Sequence, residues 1–177
     1  MIGILIAVVV LVGAVAVADL LLSFAVIRRV SALQARMTAG AGGGQSPEVG
    51  HRVGDFRVEL LTGGLFTRAD LADTRALVVF LMTTCEPCKK AVADLAELPL
   101  PLPSPLYVLV TGTHKDRDIR PVAAQLPPGA QVGRISAPDA TTEAFGVDGF
   151  PTVLRIEDGV VRSSGLKVAG VLEHVGQ

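Results

Sequence analysis

The hydrophobic residues of the chain follow three patterns, each typical of a different kind of structure. Residues 1–27 are apolar except for Asp19 and Ser23. Residues 28–50 are mixed in character and end in a run rich in glycine and alanine, whereas 51–177 alternates between short apolar runs and stretches of helical spacing. These patterns predict a transmembrane anchor at 1–27, a juxtamembrane helix and flexible tether at 28–50, and a folded domain at 51–177.

The apolar segment at the start of the chain is long enough to cross a membrane. A helix rises about 1.5 Å per residue, so 27 residues exceed a hydrocarbon core of about 30 Å. A cleaved signal peptide is the alternative, because Ala16-Val17-Ala18 has the small-x-small form that signal peptidase accepts. However, no Lys or Arg precedes the apolar run, and the run continues from Leu20 to Ile27. We therefore expect a single-pass membrane protein.

Strand and helix patterns alternate through the folded domain. The run from Ala76 to Met82 is almost continuously apolar, which suits a central strand covered on both faces. Thr67 and Asp70 have the spacing of a capping box for a short helix that ends near Leu71. The other predicted strands are 56–61, 106–111, 131–135, 152–156 and 160–163. The other predicted helices run from the cysteines to 98, and over 117–126, 139–145 and 168–175. This order predicts an α/β sandwich.

Composition excludes one class of partner. The chain has 177 residues, a formal net charge of −1, one Tyr and no Trp. It carries no basic stripe with interleaved aromatic residues, so we expect no nucleic-acid partner. The length allows one domain of about 100 to 150 residues beside the anchor.

Both cysteines lie in one short stretch, "FLMTTCEPCKKAVADL", as Cys85 and Cys88. Two cysteines are too few for a disulfide framework, and a structural zinc site would need two more ligands close by. The three histidines are scattered along the sequence, at His51, His114 and His174. We predict no metal and no cofactor, and the pair is either redox-active, part of a metal site or inert.

The position of the pair at the start of a predicted helix favours redox chemistry. The unpaired N–H groups and the macrodipole at a helix N-terminus favour a thiolate at Cys85. Cys88 lies one turn further on, where it can attack a mixed disulfide formed at Cys85. Pro87 suits the first helical turn. Glu86 opposes ionisation of the thiols, and the two lysines that follow Cys88 act against that effect.

A second stretch, "FGVDGFPTV", leads directly into a predicted strand. Pro151 stands at the entrance of that strand, where a cis peptide bond can be accommodated. An ordinary trans proline in a loop is the alternative.

Together the two stretches carry a resemblance to a known family. "TTCEPCKK" after a hydrophobic strand, followed by "FGVDGFPTVLRIEDGVV", resembles the thioredoxin superfamily, in which a Cys-x-x-Cys helix faces a cis-proline loop. This implies a thioredoxin-like three-layer sandwich, with a mixed central sheet flanked by helices. The anchor, "VGDFRVELLTGG" and "CEPCKK" resemble the TlpA/ResA branch of membrane-tethered thiol-disulfide oxidoreductases. "VIRRVSALQARM" and "FLMTTC" resemble the methylamine-utilisation protein MauD.

The resemblance also implies a role for each residue of the site. Cys85 would be the attacking nucleophile and Cys88 the resolving thiol, the two joined by a disulfide in the oxidised form. Pro151 would be the cis-proline beside them, and Phe150 would offer backbone groups to an extended substrate. The other substrate-binding positions border the cysteines and are Thr84, Glu86 and Pro87.

Three positions depart from the family pattern. Thr84 stands where thioredoxin usually has Trp before its first cysteine. Val79 occupies the position of thioredoxin's buried Asp, and Ala91 that of the Glu in ResA-type proteins. The proton of the resolving cysteine is then left to Glu86, to water or to a group that the sequence does not identify.

These residues predict a membrane-tethered thiol:disulfide oxidoreductase that acts on protein thiol or disulfide clients. An upstream electron donor, either membrane-bound or soluble, would supply the electrons. The process served would be the maturation of cytochrome c or of an amine dehydrogenase. The alternatives are a non-catalytic, membrane-anchored client-binding module and a peroxiredoxin-like peroxidase. The peroxidase would need a Thr or Ser where Met82 stands.

The side of the membrane is predicted from two opposed arguments. Arg28, Arg29 and Arg36 follow the anchor, and the positive-inside rule would place the domain in the cytoplasm. A tethered oxidoreductase is more useful where soluble thioredoxin is absent, and the family resemblance points outward. We expect the domain on the extracytoplasmic side of the cell membrane.

Overall fold

A mixed sheet lies at the centre of the part of the chain that the structure describes. In the computed structural model these are residues 46–112 and 118–172. Their strands are β1 (Arg57–Glu59), β2 (Leu65–Thr67), β3 (Arg75–Met82), β4 (Leu106–Thr111), β5 (Gln131–Arg134), β6 (Thr152–Glu157) and β7 (Val160–Gly165). Their helices are α1 (Glu86–Ala96), α2 (Arg120–Ala123), α3 (Ala140–Phe145) and α4 (Val168–Leu172), with a 3-10 helix at Arg68–Leu71.

Strand β3 occupies the middle of the five-stranded sheet, whose order is β5-β4-β3-β6-β7. It pairs with β4 in parallel and with β6 antiparallel, so that Val79 lies between Val108 and Val153. Strands β1 and β2 form a separate antiparallel hairpin. The pairing of β3 on both sides explains why its sequence is almost continuously apolar.

Alternation along β3 divides the core between the two faces of the sheet. Ala76, Val78 and Phe80 belong to one buried cluster, which includes the β1–β2 hairpin and Phe145 of α3. Leu77, Val79 and Leu81 belong to the other, which includes the inner sides of α1 and α4. We call these the α3 face and the α1 face. Helices and hairpin therefore cover both sides of the sheet, and the expected thioredoxin-like α/β sandwich is confirmed.

Aromatic rings fill the α3 face. The ring centroids of Phe56 and Phe145 are 4.7 Å apart, and Phe66 stacks on Tyr107 at 3.8 Å. Burial, and to a smaller extent the negative charge of Asp70, raise the pKa of Tyr107 above its ordinary value. The phenol is therefore neutral at physiological pH, and this side of the sheet serves packing.

Several element boundaries differ from the sequence prediction. The strand expected at 56–61 is limited to β1, and its partner β2 was not predicted because three residues are too few to show an alternating pattern. The helix expected at 117–126 is α2 alone. After it, Leu126 N–H donates to Ala123 O, an i to i+3 bond that tightens the chain before two prolines. Residue 117 and residues 173–175 lie outside the described part.

The capping pair predicted before the 3-10 helix is present. The Oδ2 atom of Asp70 accepts hydrogen bonds from the Thr67 N–H (2.8 Å) and from the Thr67 hydroxyl (2.9 Å). Thr67 is both the last residue of β2 and the N-cap of the 3-10 helix, so its bonds to Asp70 fix the junction between the strand and the helix.

The predicted anchor at 1–27 lies outside the described residues, as does all of the tether up to residue 45. Within 46–112 and 118–172, no helix is both long and apolar enough to cross a membrane.

Gly133 allows the close approach of the hairpin to the edge strand β5. A Cβ atom at this position would lie 2.5 Å from Val58 Cγ1 and 3.3 Å from both Glu59 O and Leu109 Cδ2. Gly133→Ala is therefore expected to lower the free energy of unfolding by about 1 to 3 kcal/mol, measured by urea denaturation. The matched control is Gly170→Ala in α4, where a Cβ meets no atom within 4 Å. It is expected to be neutral or stabilising, and equal stability of the two variants would contradict this packing argument.

Candidate active site

The two cysteines lie at the turn between the central strand and its following helix. The N–H of Thr83 still donates to Thr111 O (3.0 Å), which continues the pairing of β3 with β4 by one residue. The chain then turns at Thr84, and Cys85 is the N-cap residue of α1 in an extended conformation. Its sulfur accepts a hydrogen bond from the Cys88 N–H at 3.2 Å. The same N–H also donates to Cys85 O at 3.1 Å. Cys85 Sγ thus lies against an N–H group at the positive end of the helix dipole, which favours negative charge on the sulfur.

Cys85 and Cys88 form a disulfide, with their Cα atoms 5.2 Å apart. The two residues differ in exposure. Cys85 is partly exposed, whereas Cys88 is 2% exposed and belongs to the apolar cluster of the α1 face. The Met82 N–H donates to Cys88 Sγ at 3.4 Å. A reagent from solvent can therefore reach the sulfur of Cys85, while Cys88 is placed to react with Cys85 from inside.

The loop before β6 faces the cysteines. Its Phe150–Pro151 peptide bond is cis, and Phe150 O lies 3.6 Å from Cys85 Sγ. The Thr152 hydroxyl donates to Gly149 O at 2.7 Å, which closes the turn in front of the strand. Pro151 is buried, so the groups that this loop presents beside the disulfide are those of Phe150. The two sequence motifs, 65 residues apart, therefore form one site.

The charged residues at the start of α1 form local pairs at the surface. Lys89 Nζ lies 2.6 Å from Glu86 Oε2, and Lys90 Nζ lies 3.3 Å from Asp94 Oδ1. Thr84, Glu86 and Pro87 are all exposed around the disulfide. Because exposed opposite charges largely offset each other, the helix N-terminus is the main fixed electrostatic influence on Cys85.

Aliphatic side chains surround the inner sulfur. Val79 is 0% exposed and Ala91 is 3% exposed, and both belong to the same cluster as Cys88. In the resemblance described above, thioredoxin carries Asp at the position of Val79, and ResA-type proteins carry Glu at the position of Ala91. In this chain both positions are aliphatic and buried beside Cys88.

The described residues hold no cluster of three or more His, Cys, Asp or Glu side chains that could bind a metal. His51 Nε2 lies 3.1 Å from Ala144 O, in contact with the main chain of α3. His114 and His174 lie outside the described residues.

No defined protein family and no curated protein matches the sequence. Solved structures do match the fold. A thio-disulfide isomerase from Thermus thermophilus has a TM-score of 0.55 and 22% identity, over 72% of this chain and 93% of that one. The thioredoxin domain of a thiol-disulfide oxidoreductase from Bacteroides vulgatus has a TM-score of 0.55 and 15% identity, over 72% and 95%. The exposed lipoprotein thioredoxin Etrx1 of Streptococcus pneumoniae has a TM-score of 0.52 and 18% identity, over 68% and 96%.

At these low sequence identities, the similarity to these structures establishes the fold. The chain has a thioredoxin-like α/β fold with a mixed central sheet, and its Cys-x-x-Cys pair lies at disulfide distance at the start of α1. Solved structures of this fold include a thiol-disulfide oxidoreductase and a thio-disulfide isomerase.

The unequal exposure of the two cysteines predicts unequal reactivity. After reduction, Cys85 is expected to react with iodoacetamide at least about tenfold faster than Cys88, because it is accessible and lies at a helix N-terminus. Mass spectrometry of the alkylated peptides measures both rates. In guanidinium chloride the two rates should converge, since unfolding removes both differences. Faster alkylation of Cys88 in the folded protein would contradict the asymmetry.

Proposed function

We propose that the protein is a membrane-tethered thiol:disulfide oxidoreductase that acts by exchange through Cys85 and Cys88. The observation that carries the proposal is the position of Cys85 Sγ. It is partly exposed at the start of α1, bonded to a buried partner sulfur and 3.6 Å from Phe150 O. An accessible sulfur that favours negative charge, with a second sulfur behind it, is the arrangement that exchange requires.

In the reducing direction, the Cys85 thiolate attacks one sulfur of a client disulfide. The client S–S bond breaks, and the other client sulfur leaves as a thiolate that takes up a proton. Cys88 then loses its proton and attacks Cys85 Sγ, which releases the second client thiolate and forms the Cys85–Cys88 disulfide. The client has gained two electrons, and an upstream electron donor must return them to the protein. The reverse sequence oxidises a client dithiol.

Client recognition is assigned to the surface around Cys85. The carbonyl oxygen of Phe150 lies beside the reacting sulfur and can accept a hydrogen bond from the N–H of an extended client segment. Thr84, Glu86 and Pro87 flank Cys85 in the sequence and are exposed. A backbone contact of this kind selects an extended chain near the client cysteine and tolerates many side chains.

The same proposal places the domain outside the cytoplasm, tethered by residues 1–27. The similar structure from Streptococcus pneumoniae is that of an exposed lipoprotein thioredoxin, which supports this side. The three arginines after the anchor argue for the other. Outside the cytoplasm, the proposed clients are proteins whose maturation needs cysteine chemistry, such as cytochrome c or an amine dehydrogenase.

Substitution of each cysteine tests the proposed roles. Cys85→Ser is expected to abolish reduction of insulin disulfides, because the attacking thiolate is lost. Cys88→Ser is expected to accumulate a mixed disulfide at Cys85 with its client, because the resolving thiol is lost. Insulin turbidity and non-reducing electrophoresis measure the two effects.

Retained insulin reduction in Cys85→Ser would exclude Cys85 as the nucleophile. Client association that survives in Cys85→Ser without any reductase activity in the parent protein would instead indicate a non-catalytic client-binding module.

Labelling of intact cells tests the membrane side. A membrane-impermeant maleimide is expected to modify reduced Cys85 in intact cells, since the proposal places the domain outside. The Cys85→Ser variant provides the background, and permeabilised cells give the full signal. Labelling that requires permeabilisation would place the domain in the cytoplasm.

A further inference from the structure

A cleft of about 770 Å³ lies beside the carboxyl end of the edge strand β5. Its walls come from β1 and the residues after it, from the end of β5, and from the starts of α2 and α3. Strands β3, β4 and β5 are parallel, so their carboxyl ends lie at one edge of the sheet. Cys85 follows β3 at this same edge, which is where open α/β sheets bind their ligands.

Three arginines from three different elements line the cleft. Arg57 belongs to β1, Arg134 ends β5 and Arg120 begins α2. All three are exposed, and none forms an ion pair with a described residue. Apart from Arg52, every described arginine outside the cleft pairs with a carboxylate. The cleft therefore brings together guanidinium groups that are available to a ligand.

Two of the three acids that line the cleft are bonded to the main chain. Both carboxylate oxygens of Asp139 accept N–H groups around the start of α3, at 3.0 to 3.1 Å. The Asp118 Oδ1 atom accepts the N–H of Arg120 at 3.0 Å. Glu59 is the third acid and is exposed on β1. The acids and arginines leave the cleft without excess charge, so binding there depends on close contacts more than on long-range attraction.

The segment before Asp118 does not supply the missing partners. Residues 113–117 lie outside the described part, and their sequence contains two basic residues and one acid. They can offer at most one carboxylate to three arginines, and they bring two further cations.

We propose that this cleft binds an acidic, extended segment of the client, whose carboxylates contact the three arginines while the client cysteine reacts with Cys85. The inference rests on the proposed function and names its class of substrate. Guanidinium groups bind carboxylates through paired N–H donors, which gives both affinity and orientation. The contact with Phe150 O concerns only the client main chain, so selectivity for side chains needs a second contact of this kind.

One extended segment can reach both the cleft and the sulfur. Leu81 of β3, Val110 of β4 and Arg134 of β5 lie side by side in the sheet. Adjacent strands are about 4.8 Å apart, so the cleft begins about 10 Å from the end of β3, after which the chain turns to Cys85. An extended chain covers about 3.3 Å per residue. Acidic residues roughly three to six positions from the client cysteine would therefore enter the cleft.

The test uses the reduced, full-length protein and synthetic peptides whose single cysteine carries a 4-thiopyridyl group. The Cys85 thiolate attacks the peptide sulfur, the S–S bond breaks, and the thiopyridyl group leaves with the electron pair and takes up a proton as coloured thiopyridone. Cys88 then loses its proton and attacks Cys85 Sγ, which releases the peptide thiolate.

Three peptides differ only at positions three to six on both sides of the cysteine, where they carry Asp and Glu, Asn and Gln, or Lys. The acidic peptide is expected to react about 5- to 10-fold faster than the neutral one, because a few exposed arginine–carboxylate contacts each add modestly. The basic peptide should be slowest. The preference should shrink as salt concentration rises, since salt screens exposed charges.

Variants assign the preference to the cleft. Arg57→Gln combined with Arg134→Gln is expected to remove most of it. Arg52→Gln is the matched control, because Arg52 is exposed, forms no ion pair with a described residue and does not line the cleft. It should keep the full preference. The small, neutral 4,4′-dithiodipyridine should oxidise all these proteins at one rate, since Cys85 is unchanged, and thermal unfolding checks their fold.

Equal rates for the acidic and neutral peptides in the parent protein overturn the inference, as does an equal loss of preference in Arg52→Gln. Free glutarate should inhibit the acidic peptide no more than sodium chloride at equal ionic strength. Specific competition by glutarate would assign the cleft to a small dicarboxylate and also overturn the inference. If the parent protein fails to react with 4,4′-dithiodipyridine, the proposed function itself is contradicted, so the two failures are distinguished.

Discussion

The antiparallel pairing of β3 with β6 is the constraint on which the site depends. Phe80 lies opposite Thr152, so the end of one strand meets the beginning of the other. Cys85 follows the first strand and Phe150 precedes the second, and this places the sulfur 3.6 Å from the carbonyl oxygen. A slip of one residue would move every side chain of a strand to the other face. Because both faces are buried, the two packed clusters hold the register and thereby the site.

The same packing makes the two sulfurs unequal. Helix α1 buries Ala91, Val92 and Leu95 against the sheet, and Cys88 lies on that inner side. Cys85 precedes the helix as its N-cap, where the backbone is still extended and the side chain remains partly exposed. With two residues between them, the first cysteine is the N-cap of α1 and the second is the inward-facing residue of its first turn. Chemical roles follow from this position, since only one of the two sulfurs can meet a macromolecular client.

The sequence predicted the elements whose signals are local. Central strand β3, the start of α1 at the cysteines and the Thr67–Asp70 pair were all evident from spacing alone. It did not predict β2, which is three residues long and depends on its hairpin partner, or the early end of α2. The replaced acids at Val79 and Ala91 could be noticed in the sequence. The burial of Cys88 to 2% exposure could not, because it depends on the packing of α1 against β3, β4 and α4.

The aliphatic side chains of Val79 and Ala91 determine the electrostatics around the resolving cysteine. An ionised acid beside Cys88 would accept the proton, but its charge would also oppose the thiolate that forms, and burial of the acid would itself be unfavourable. Val79 and Ala91 carry no charge in either state of the pair. The free energy of the buried thiolate is then determined by desolvation, by the Met82 N–H and by the N-terminus of α1. Because neither of these side chains ionises, the apolar cluster around Cys88 keeps the same charge when the dithiol is oxidised to the disulfide.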